Sequence, residues 1–429
     1  MPSRTDPNPP LVGGRYQLLA PVREGPLSEF WRAELHGAGG LRRLVGFKRL
    51  RAEHAQNPNL RELFIREARI LALMDHPTVV QLFDFAEDHR NLYMVTEWVH
   101  GVSLAEIVWL CNAHRVLPSP VIVTAIGIEI LRALEAAHTR MVRAPDGSLR
   151  PAPILQRDLS PENVLLSVRG HVKLMDFGVT RPLDPLALAR MSPGSSRMSY
   201  IAPEVVAGSR PTPASDLYAC AALLWETITG RRLWGEATGF NVLAQLLDRK
   251  RPPGLREARS DAPADVAEVL DRALSPDPAE RFSTAGAMVR ALSVSLRGIP
   301  EVTDASRLAA EVQHAVSLRH RWLMAHTSAA TAPVENTDDD RPTLLIDPAE
   351  SKPAPVTAKP SQPTRETLVP VEIAGTDERD SAIPVEIDLA RSRADDSQNR
   401  LRQSSDEARD AQGQRELELD VEILGESQT

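Results

Sequence analysis

Five polar residues spread along the chain have the types and the order that phosphoryl transfer from a nucleotide requires. Lys48 ends a short apolar run, and Glu67 follows 19 residues later on a predicted helix, so the pair could hold nucleotide phosphates. Asp158 could accept a proton from a hydroxyl group, while Asn163 and Asp176 carry the oxygen ligands that Mg²⁺ prefers. Taken singly, each has an ordinary alternative, because most lysines lie on the surface and an Asp-Phe-Gly tripeptide is often a turn.

Lysine usage favours a specific role for Lys48. Only five of the 50 basic residues are lysines. An ammonium is a compact point charge and a guanidinium is a wide planar fork, so the two do not exchange at a tight phosphate site. We therefore expect Lys48 to do something that arginine cannot.

The residues around these positions predict the elements that hold them. Short runs with β character precede the middle of the chain, at residues 16–22, 30–35, 44–50, 79–85 and 91–99. One helix is expected at 59–74, and longer helices at 118–137 and 215–229. Two more β runs, 163–167 and 171–175, lie in the loop-rich region between those longer helices. The pattern predicts a small sheet lobe with one helix, followed by a larger helical lobe.

Composition divides the chain near its last hundred residues. Every Phe, Trp and Tyr lies at or before Trp322, and residues 331–429 carry 23 acidic against 11 basic side chains. A segment without large apolar side chains cannot offset the entropy cost of ordering itself. We therefore expect a disordered acidic tail.

Composition also excludes several classes of function. No part of the chain is basic enough to predict a nucleic-acid partner. No apolar run reaches the roughly 18–20 uncharged residues that a bilayer crossing requires, so we expect no membrane association. Cys111 and Cys220 stand in apolar stretches and are expected to be buried free thiols. With no signal peptide at the N-terminus, the chain is expected to be cytoplasmic.

The order and spacing of the chemical residues are more specific than any one of them. The signature positions of protein kinases have counterparts in sequence at Lys48, Glu67, Asp158, Asn163, Asp176, Glu204, Asp216 and Arg281. Residues 14–297 therefore resemble a eukaryotic-like serine/threonine protein kinase of bacteria. The frequent use of arginine and the run Asp158–Asn163 are similar to the myxobacterial type.

The resemblance implies an α+β bilobal protein-kinase fold. It comprises a small antiparallel-sheet N-lobe with one helix and a larger, mainly helical C-lobe. The expected organisation is a disordered leader at 1–13, the N-lobe at about 14–99, the C-lobe at about 100–297, a helical extension at 298–329 and the disordered acidic tail at 330–429.

The resemblance also implies roles for individual residues. Asp158 would be the catalytic base, Lys48 would hold the phosphates of ATP and Glu67 would pair with Lys48. Asn163 and Asp176 would be the ligands of Mg²⁺. The implied activity is transfer of the γ-phosphoryl group of ATP to serine and threonine hydroxyls of proteins, including this chain, in bacterial signal transduction.

A second set of roles concerns the nucleotide base and the frame of the site. The base and the loop above it would be met by Val22, Gly25, Glu97 and Val99, with Thr96 as the gatekeeper. Glu204 would pair with Arg281, and Asp216 would brace the catalytic loop. Specificity for serine and threonine is inferred because the run Asp158–Asn163 lacks the Ala-Ala-Arg or Arg-Ala-Ala signature of tyrosine kinases.

Three departures from the family pattern leave an alternative open. Of the three glycines expected over the phosphates only Gly25 remains, because Arg23 and Ser28 stand at the other two positions. Gln156 replaces a histidine, and Ser160 replaces a lysine that touches the transferred phosphate. The alternative is a pseudokinase scaffold that binds nucleotide weakly.

Regulation and partners are expected outside the catalytic residues. Arg157, next to the base, predicts control by a phosphate in the loop 176–204, whose hydroxyls include Thr180, Ser192, Ser195, Ser196 and Ser199. Thr343 and Thr367 each follow an arginine by two residues and could recruit a phosphothreonine-reading partner. The tripeptide Val-Glu-Ile recurs at 371–373, 385–387 and 421–423 and could pair with the edge of a partner's sheet. Alternatively, these are coincidences in a solvated tail.

Overall fold

The computed structural model describes residues 11–89, 91–177, 196–235, 239–301 and 303–327. All of them lie in one compact unit, Met1–Ala354. The tail predicted at 330–429, with Thr343, Thr367 and the Val-Glu-Ile repeats, lies outside the described residues, as does most of the predicted leader.

The N-terminal lobe is a five-stranded antiparallel sheet with one helix. Its elements are β1 (Tyr16–Glu24), β2 (Ser28–His36), β3 (Arg42–Leu50), α1 (Pro58–Ala72), β4 (Leu82–Asp88) and β5 (Asn91–Glu97). The strand order is β1-β2-β3-β5-β4, so β3, which carries Lys48, is central.

Helix α1 begins at a signal encoded in the sequence. The Asn57 side chain accepts hydrogen bonds from the backbone amides of Asn59 and Leu60, and Pro58 stands in the first turn, where its missing N–H leaves no bond unmade. The buried face recurs at intervals of three and four residues, as Phe64, Glu67, Ala68 and Leu71. Glu67 is therefore held on the side of the helix that packs against the sheet.

The C-terminal lobe is mainly helical. Its elements are β6 (Gly101–Ser103), α2 (Leu104–Ala113), α3 (Pro120–His138), β7 (Met141–Arg143), β8 (Leu149–Pro151), β9 (Val164–Ser167), β10 (Val172–Leu174), α4 (Pro203–Val206), α5 (Pro213–Thr229), α6 (Gly239–Leu247), α7 (Leu255–Ala258), α8 (Ala264–Ala273), α9 (Ala285–Ser295) and α10 (Ala305–Thr327). Strands β10, β9 and β6 form a second sheet in that order. Strand β9 begins at Val164, directly after the loop that carries Asp158.

Helices α3 and α5 form the centre of this lobe. Nearly every residue of α5 is buried, and most of them are apolar, as expected of a helix at the centre of a lobe. Gly127 allows the two helices to approach closely, because a Cβ there would lie 2.5 Å from Leu224 Cδ1. The two helices therefore pack closely against each other in the centre of the lobe.

Helix α10 packs on the C-lobe within the predicted extension. It buries Leu308, Val312, Ala315 and Leu318 in the main core. Arg319 Nη1 lies 3.1 Å from Glu106 Oε1, and both side chains are almost fully buried. This helix is therefore part of the packed structure.

The bilobal α+β fold is confirmed, with local differences from the sequence-based elements. The strand expected at 79–85 begins at Leu82, because the preceding residues bond to the C-lobe instead: Val80 N donates to Leu174 O, and Leu174 N donates to Thr78 O. The hairpin β7–β8 was not predicted, although Asp146-Gly147 marks its turn. No helix in the described part of the chain combines the length and apolarity that crossing a membrane demands.

Candidate active site

Three side chains from neighbouring strands form a row above a narrow cavity. Arg23 is paired with Phe30 across β1 and β2, and Phe30 is paired with Lys48 across β2 and β3. Directly opposed residues of antiparallel strands project from the same face, so the three point together. They line a single cavity with Glu67 and Asp176, which we call the cleft.

Lys48 is the centre of a buried ion-pair network. Its Nζ donates to Glu67 Oε1 and, at 2.7 Å, to Asp176 Oδ1. Burial disfavours the charged ammonium, but the carboxylates of Asp176 and Glu67 outweigh this effect and raise the pKa of Lys48. The structure thus joins three sequence-predicted residues from β3, α1 and the segment after β10, and keeps the lysine protonated.

Arg23 occupies the other side of the same carboxylate. Its Nη2 donates to Asp176 Oδ2 at 2.8 Å, and its Nη1 lies 3.4 Å from Asn163 Oδ1. Burial alone would lower the pKa of Arg23, but Asp176, with Glu162 and Asp158 nearby, raises it. The two residues expected to bind Mg²⁺ are therefore brought together, and both contact a guanidinium from β1.

The proposed base, Asp158, lies beside these two residues. Asn163 Nδ2 donates to the Asp158 carbonyl oxygen at 2.9 Å and lies 3.4 Å from Asp158 Oδ2. Arg197 Nη1 is 3.7 Å from the same Oδ2. Ser160, which stands where the family has a lysine, is uncharged and buried. A positive charge beside Asp158 comes instead from Arg197, in a distant segment.

The segment 156–163, which we call the catalytic loop, is held by the carboxylate of Asp216. Asp216, on α5, accepts hydrogen bonds from the backbone amides of Gln156 and Arg157 at 2.9 and 3.0 Å, and contacts His138 Nε2 at 2.8 Å. These contacts hold Arg157 at φ 63°, which is uncommon for a residue with a side chain. The sequence-based bracing role of Asp216 matches this geometry.

Gln156, the departure from the family histidine, has a defined contact. Its Nε2 donates to the carbonyl oxygen of Met175, directly before Asp176. This hydrogen bond links the catalytic loop to the segment that presents Asp176. Phe177 and Leu71 are buried in the same core cluster, with Leu82 packed against it.

A second buried ion pair fixes the frame of the C-lobe. Arg281 donates to both oxygens of Glu204, each at 2.8 Å. The remaining donors of Arg281 bond to the carbonyl oxygens of Ser275 and Ala214. Both charges are desolvated, and the guanidinium is satisfied on several sides.

The segment expected to contact the nucleotide base is crowded. Thr96 and Val99 are buried, and Glu97 is held by Lys173 Nζ at 2.5 Å. The Phe30 ring stacks on Trp98 with centroids 6.4 Å apart. Near them, a Cβ on Gly46 would lie 2.8 Å from Phe30 and 2.7 Å from Thr96 Oγ1.

The free volume of the cleft is small. It amounts to about 30 Å³, whereas pockets that enclose small ligands measure roughly 300–1,000 Å³. Val22 is buried on β1, and the Gly25 amide donates to Ser28 O at 2.9 Å, which closes the β1–β2 turn. In this conformation the segment 23–30, which we call the cleft hairpin, lines this small cavity with the side chains of Arg23 and Phe30.

The loop expected to carry regulatory phosphate is described only at its end. Thr180, Ser192, Ser195 and the side chain of Ser196 lie outside the described residues. Ser199 is buried and therefore inaccessible to a modifying enzyme in this conformation.

A buried carboxyl group lies next to that loop. The hydroxyl of Tyr200 donates to Glu226 Oε2, and the Leu233 amide donates to Oε1 at 2.8 Å. Burial raises the pKa of Glu226 to about 7, although these hydrogen bonds partly oppose the shift.

Sequence reasoning missed the positions of Arg23, Phe30 and Arg197. Arg23 was treated as a missing glycine, and the other two received no role. The turn at Gly25–Ser28 could have placed Phe30 opposite Arg23, since a tight turn sets the hairpin register. No short-range signal links Arg197 to Asp158.

Comparisons with known proteins identify a family and relatives of this chain. Residues 40–292, more than half of the chain, match the protein kinase domain family. The tyrosine-protein kinase MasK of Myxococcus xanthus is 31% identical over 285 residues, which are 66% of this chain and 43% of MasK. A probable serine/threonine-protein kinase of Clostridium perfringens, CPE1738, is 28% identical over 299 residues, 70% of this chain and 41% of the relative.

A solved structure, the PknI kinase domain of Mycobacterium tuberculosis, has a TM-score of 0.49 and 24% identity over 65% of this chain and 95% of that domain. The chain spans less than half the length of the two curated relatives. The family match covers the ion-pair network, the catalytic loop and the Glu204–Arg281 pair. The chain belongs to the protein kinase family, and kinases of bacteria are among its relatives.

Proposed function

We propose that the chain is an ATP-dependent protein kinase that transfers the γ-phosphoryl group to serine and threonine hydroxyls, including its own. The observation that supports this most is the grouping of five side chains: Lys48 contacts Glu67 and Asp176 in the cleft, Asp176 and Asn163 contact the same guanidinium, and Asn163 contacts Asp158. Phosphoryl transfer depends mainly on positioning and electrostatic stabilisation, and the charged groups for both are present.

Each residue in this proposal has a defined task. The Asp158 carboxylate orients the attacking hydroxyl and accepts its proton. The Lys48 ammonium, held by Glu67, binds phosphate oxygens. Asp216 keeps the loop of Asp158 in its conformation through two backbone amides.

The cofactors of the proposal are ATP and Mg²⁺. Asn163 and Asp176 fit a divalent cation because an amide oxygen and a carboxylate oxygen, which are ligand types that Mg²⁺ accepts, meet at the guanidinium of Arg23. When bound there, Mg²⁺ would neutralise charge on the phosphate oxygens. The protein contributes the two ligands and their fixed separation from Asp158.

A pseudokinase scaffold is the competing proposal. It is favoured by the free volume of about 30 Å³ in the cleft and by the side chains of Arg23 and Phe30 that fill it. The two proposals differ in whether the cleft hairpin can move aside for ATP.

The deciding experiment is incubation with γ-labelled ATP and Mg²⁺, with the chain itself and a generic basic protein as acceptors. We expect label in the wild type and its loss in Asp158→Asn, Lys48→Met and Asp176→Ala. Asp146→Asn is the matched control, since this exposed carboxylate lies in the β7–β8 turn and contacts Ser148 and Arg150. Equal background label in the wild type and Asp176→Ala would reject the kinase proposal in favour of the scaffold.

The acceptor residue is resolved by hydrolysing the labelled protein. The name of MasK assigns tyrosine to that relative, and the name of CPE1738 assigns serine and threonine. We propose serine and threonine for this chain because the run Asp158–Asn163 lacks the tyrosine-kinase signature. Phosphotyrosine as the main product would contradict that choice.

Protein substrates are the proposed partners, together with a phosphothreonine-reading protein at the tail. The same labelling, repeated on a chain that ends at Ala329, tests the second partner. We expect transfer to the basic protein to persist, while label on Thr343 and Thr367 and capture by a phosphothreonine-binding domain disappear. Loss of all transfer would mean that the catalytic unit extends beyond Ala329.

A further inference from the structure

The cleft hairpin places a cation where the proposed metal ligands converge. Both oxygens of Asp176 are held by cationic side chains of the N-lobe: Oδ1 by Lys48 and Oδ2 by Arg23. Arg23 also reaches Asn163. These contacts join β1 to residues 140 and 153 positions later, so the hairpin bridges the two lobes.

The position of Arg23 follows from the architecture of the sheet. Its pairing with Phe30, and that of Phe30 with Lys48, project all three onto the cleft-facing side. The turn that joins β1 to β2 is closed by Gly25 N and Ser28 O, which leaves little slack. The guanidinium is therefore delivered to Asp176 by the same ladder that delivers Lys48.

Electrostatics favour this location for a cation. Asp158 and Glu162 add negative potential to that of Asp176 around Arg23. A divalent ion at Asn163 and Asp176 would need the oxygens that Arg23 contacts, and two positive groups this close would repel each other. The site can hold the guanidinium or the metal with full contacts, but not both.

We propose that Arg23 is an internal cation that competes with Mg²⁺ for Asp176 and Asn163, so that metal–nucleotide binding requires its release. This inference rests on the proposed function, because it assumes that the cleft receives a metal–nucleotide complex. Arg23 thereby sets the Mg²⁺ concentration at which the cleft opens. The family has a glycine at this position, so the arginine gives this chain a control of metal binding that a glycine could not provide.

The test is a binding measurement, independent of phosphoryl transfer. A fluorescent ADP derivative is titrated at increasing Mg²⁺ concentrations with the full chain. In Arg23→Ala the half-saturating Mg²⁺ concentration should fall about tenfold, the change expected from removing one charge-assisted hydrogen bond. Arg23→Lys should lie between the two, because it keeps the charge and loses the fork.

Arg61→Ala is the matched control. Arg61 forms an ion pair of 3.0 Å with Glu87, outside the cleft hairpin, and its side chain is 24% exposed, close to the 31% of Arg23. It lies outside the cleft lining, so its loss should leave the Mg²⁺ dependence unchanged. Thermal melting of all variants tests whether each is folded.

Several outcomes overturn the inference. They are an unchanged half-saturating Mg²⁺ concentration in Arg23→Ala, weaker ADP binding at every Mg²⁺ concentration, or no ADP binding by any variant. Weaker binding would mean that Arg23 holds phosphate. A tenfold fall without any Asp158-dependent label transfer would support the inference and reject the kinase proposal, so the two failures are distinguishable.

Discussion

Two arginine–carboxylate contacts of equal length show how differently the two lobes are built. Arg281 and Glu204 meet at 2.8 Å inside the C-lobe, where their side chains are 0% and 9% exposed. Arg23 and Asp176 also meet at 2.8 Å, but the Arg23 side chain is 31% exposed and comes from a hairpin. The first contact belongs to a packed frame, and the second can be exchanged for a ligand. Arg23 and Ser28, which stand at two positions where the family pattern has glycine, both lie in the cleft hairpin.

The largest expected effect breaks the C-lobe pair. Arg281→Met should lower the free energy of unfolding by about 3–5 kcal/mol, because it leaves the Glu204 carboxylate buried without a cation. Arg23→Met should cost much less, about 1–1.5 kcal/mol, since its pair is partly solvated. Urea unfolding of both variants measures the difference.

A less severe variant guards against loss of folding. Arg281→Lys keeps the charge and loses the two-pronged contact, so its unfolding free energy should lie between those of Arg281→Met and the wild type. Equal losses for Arg281→Met and Arg23→Met would show that the two contacts do not differ in the way described above.

The second effect concerns the pH dependence of the C-lobe. The pKa of Glu226 rises from 4.5 to about 7 on folding. A raised pKa stabilises the fold at low pH, and this contribution is lost as the pH rises through that interval. The shift corresponds to about 3 kcal/mol.

Glu226→Gln removes this titration while preserving the shape of the side chain. The free energy of unfolding of the wild type, relative to that of Glu226→Gln, should therefore fall by about 3 kcal/mol between pH 4.5 and pH 8. Chemical denaturation at pH values across this range measures the gap. A gap that does not change with pH would mean that Glu226 is not desolvated in the folded protein.

The smallest effect sharpens the comparison on the side of the cleft hairpin. Phe30→Val should increase affinity for a fluorescent ADP derivative about tenfold, or about 1.4 kcal/mol, because it empties space beside Gly46 and Trp98. Phe83→Val is the control, since Phe83 is also partly buried but packs in the core cluster formed by Tyr16, Phe47 and Tyr93. Equal affinities in the Phe30 variant and the wild type would show that the ring does not obstruct the base.

Much of the fold was predictable because its signals are local. The start of α1 is marked by Asn57 and Pro58, and the β run predicted at residues 44–50 lies within β3. The start of β4 was wrong because Val80 bonds to Leu174, a residue far along the chain. Propensity cannot reveal a competing partner of that kind.

The candidate site divides in the same way. The resemblance to protein kinases implied that Lys48, Glu67 and Asp176 act at one site, and the structure brings the three into contact. The role of Arg23 was not expected. The absence of a glycine predicts which backbone conformations become unfavourable, but it does not predict what the new side chain contacts. Arg197 was missed because nothing near it in sequence points to Asp158.

The sequence by itself determined the chemical groups, their order, the two lobes and the resemblance to protein kinases. Those properties depend on residue types and on periodicity within single elements. Only the tertiary structure decided that Arg23 contacts Asp176, that Phe30 fills the cleft and that Asp216 holds two backbone amides. The contacts of Arg23 and Asp216 join residues 59 or more positions apart, and two of the bonds to Asp216 come from backbone groups that every non-proline residue carries. Strand register and the packing of α5 select them, and neither is encoded at a single position.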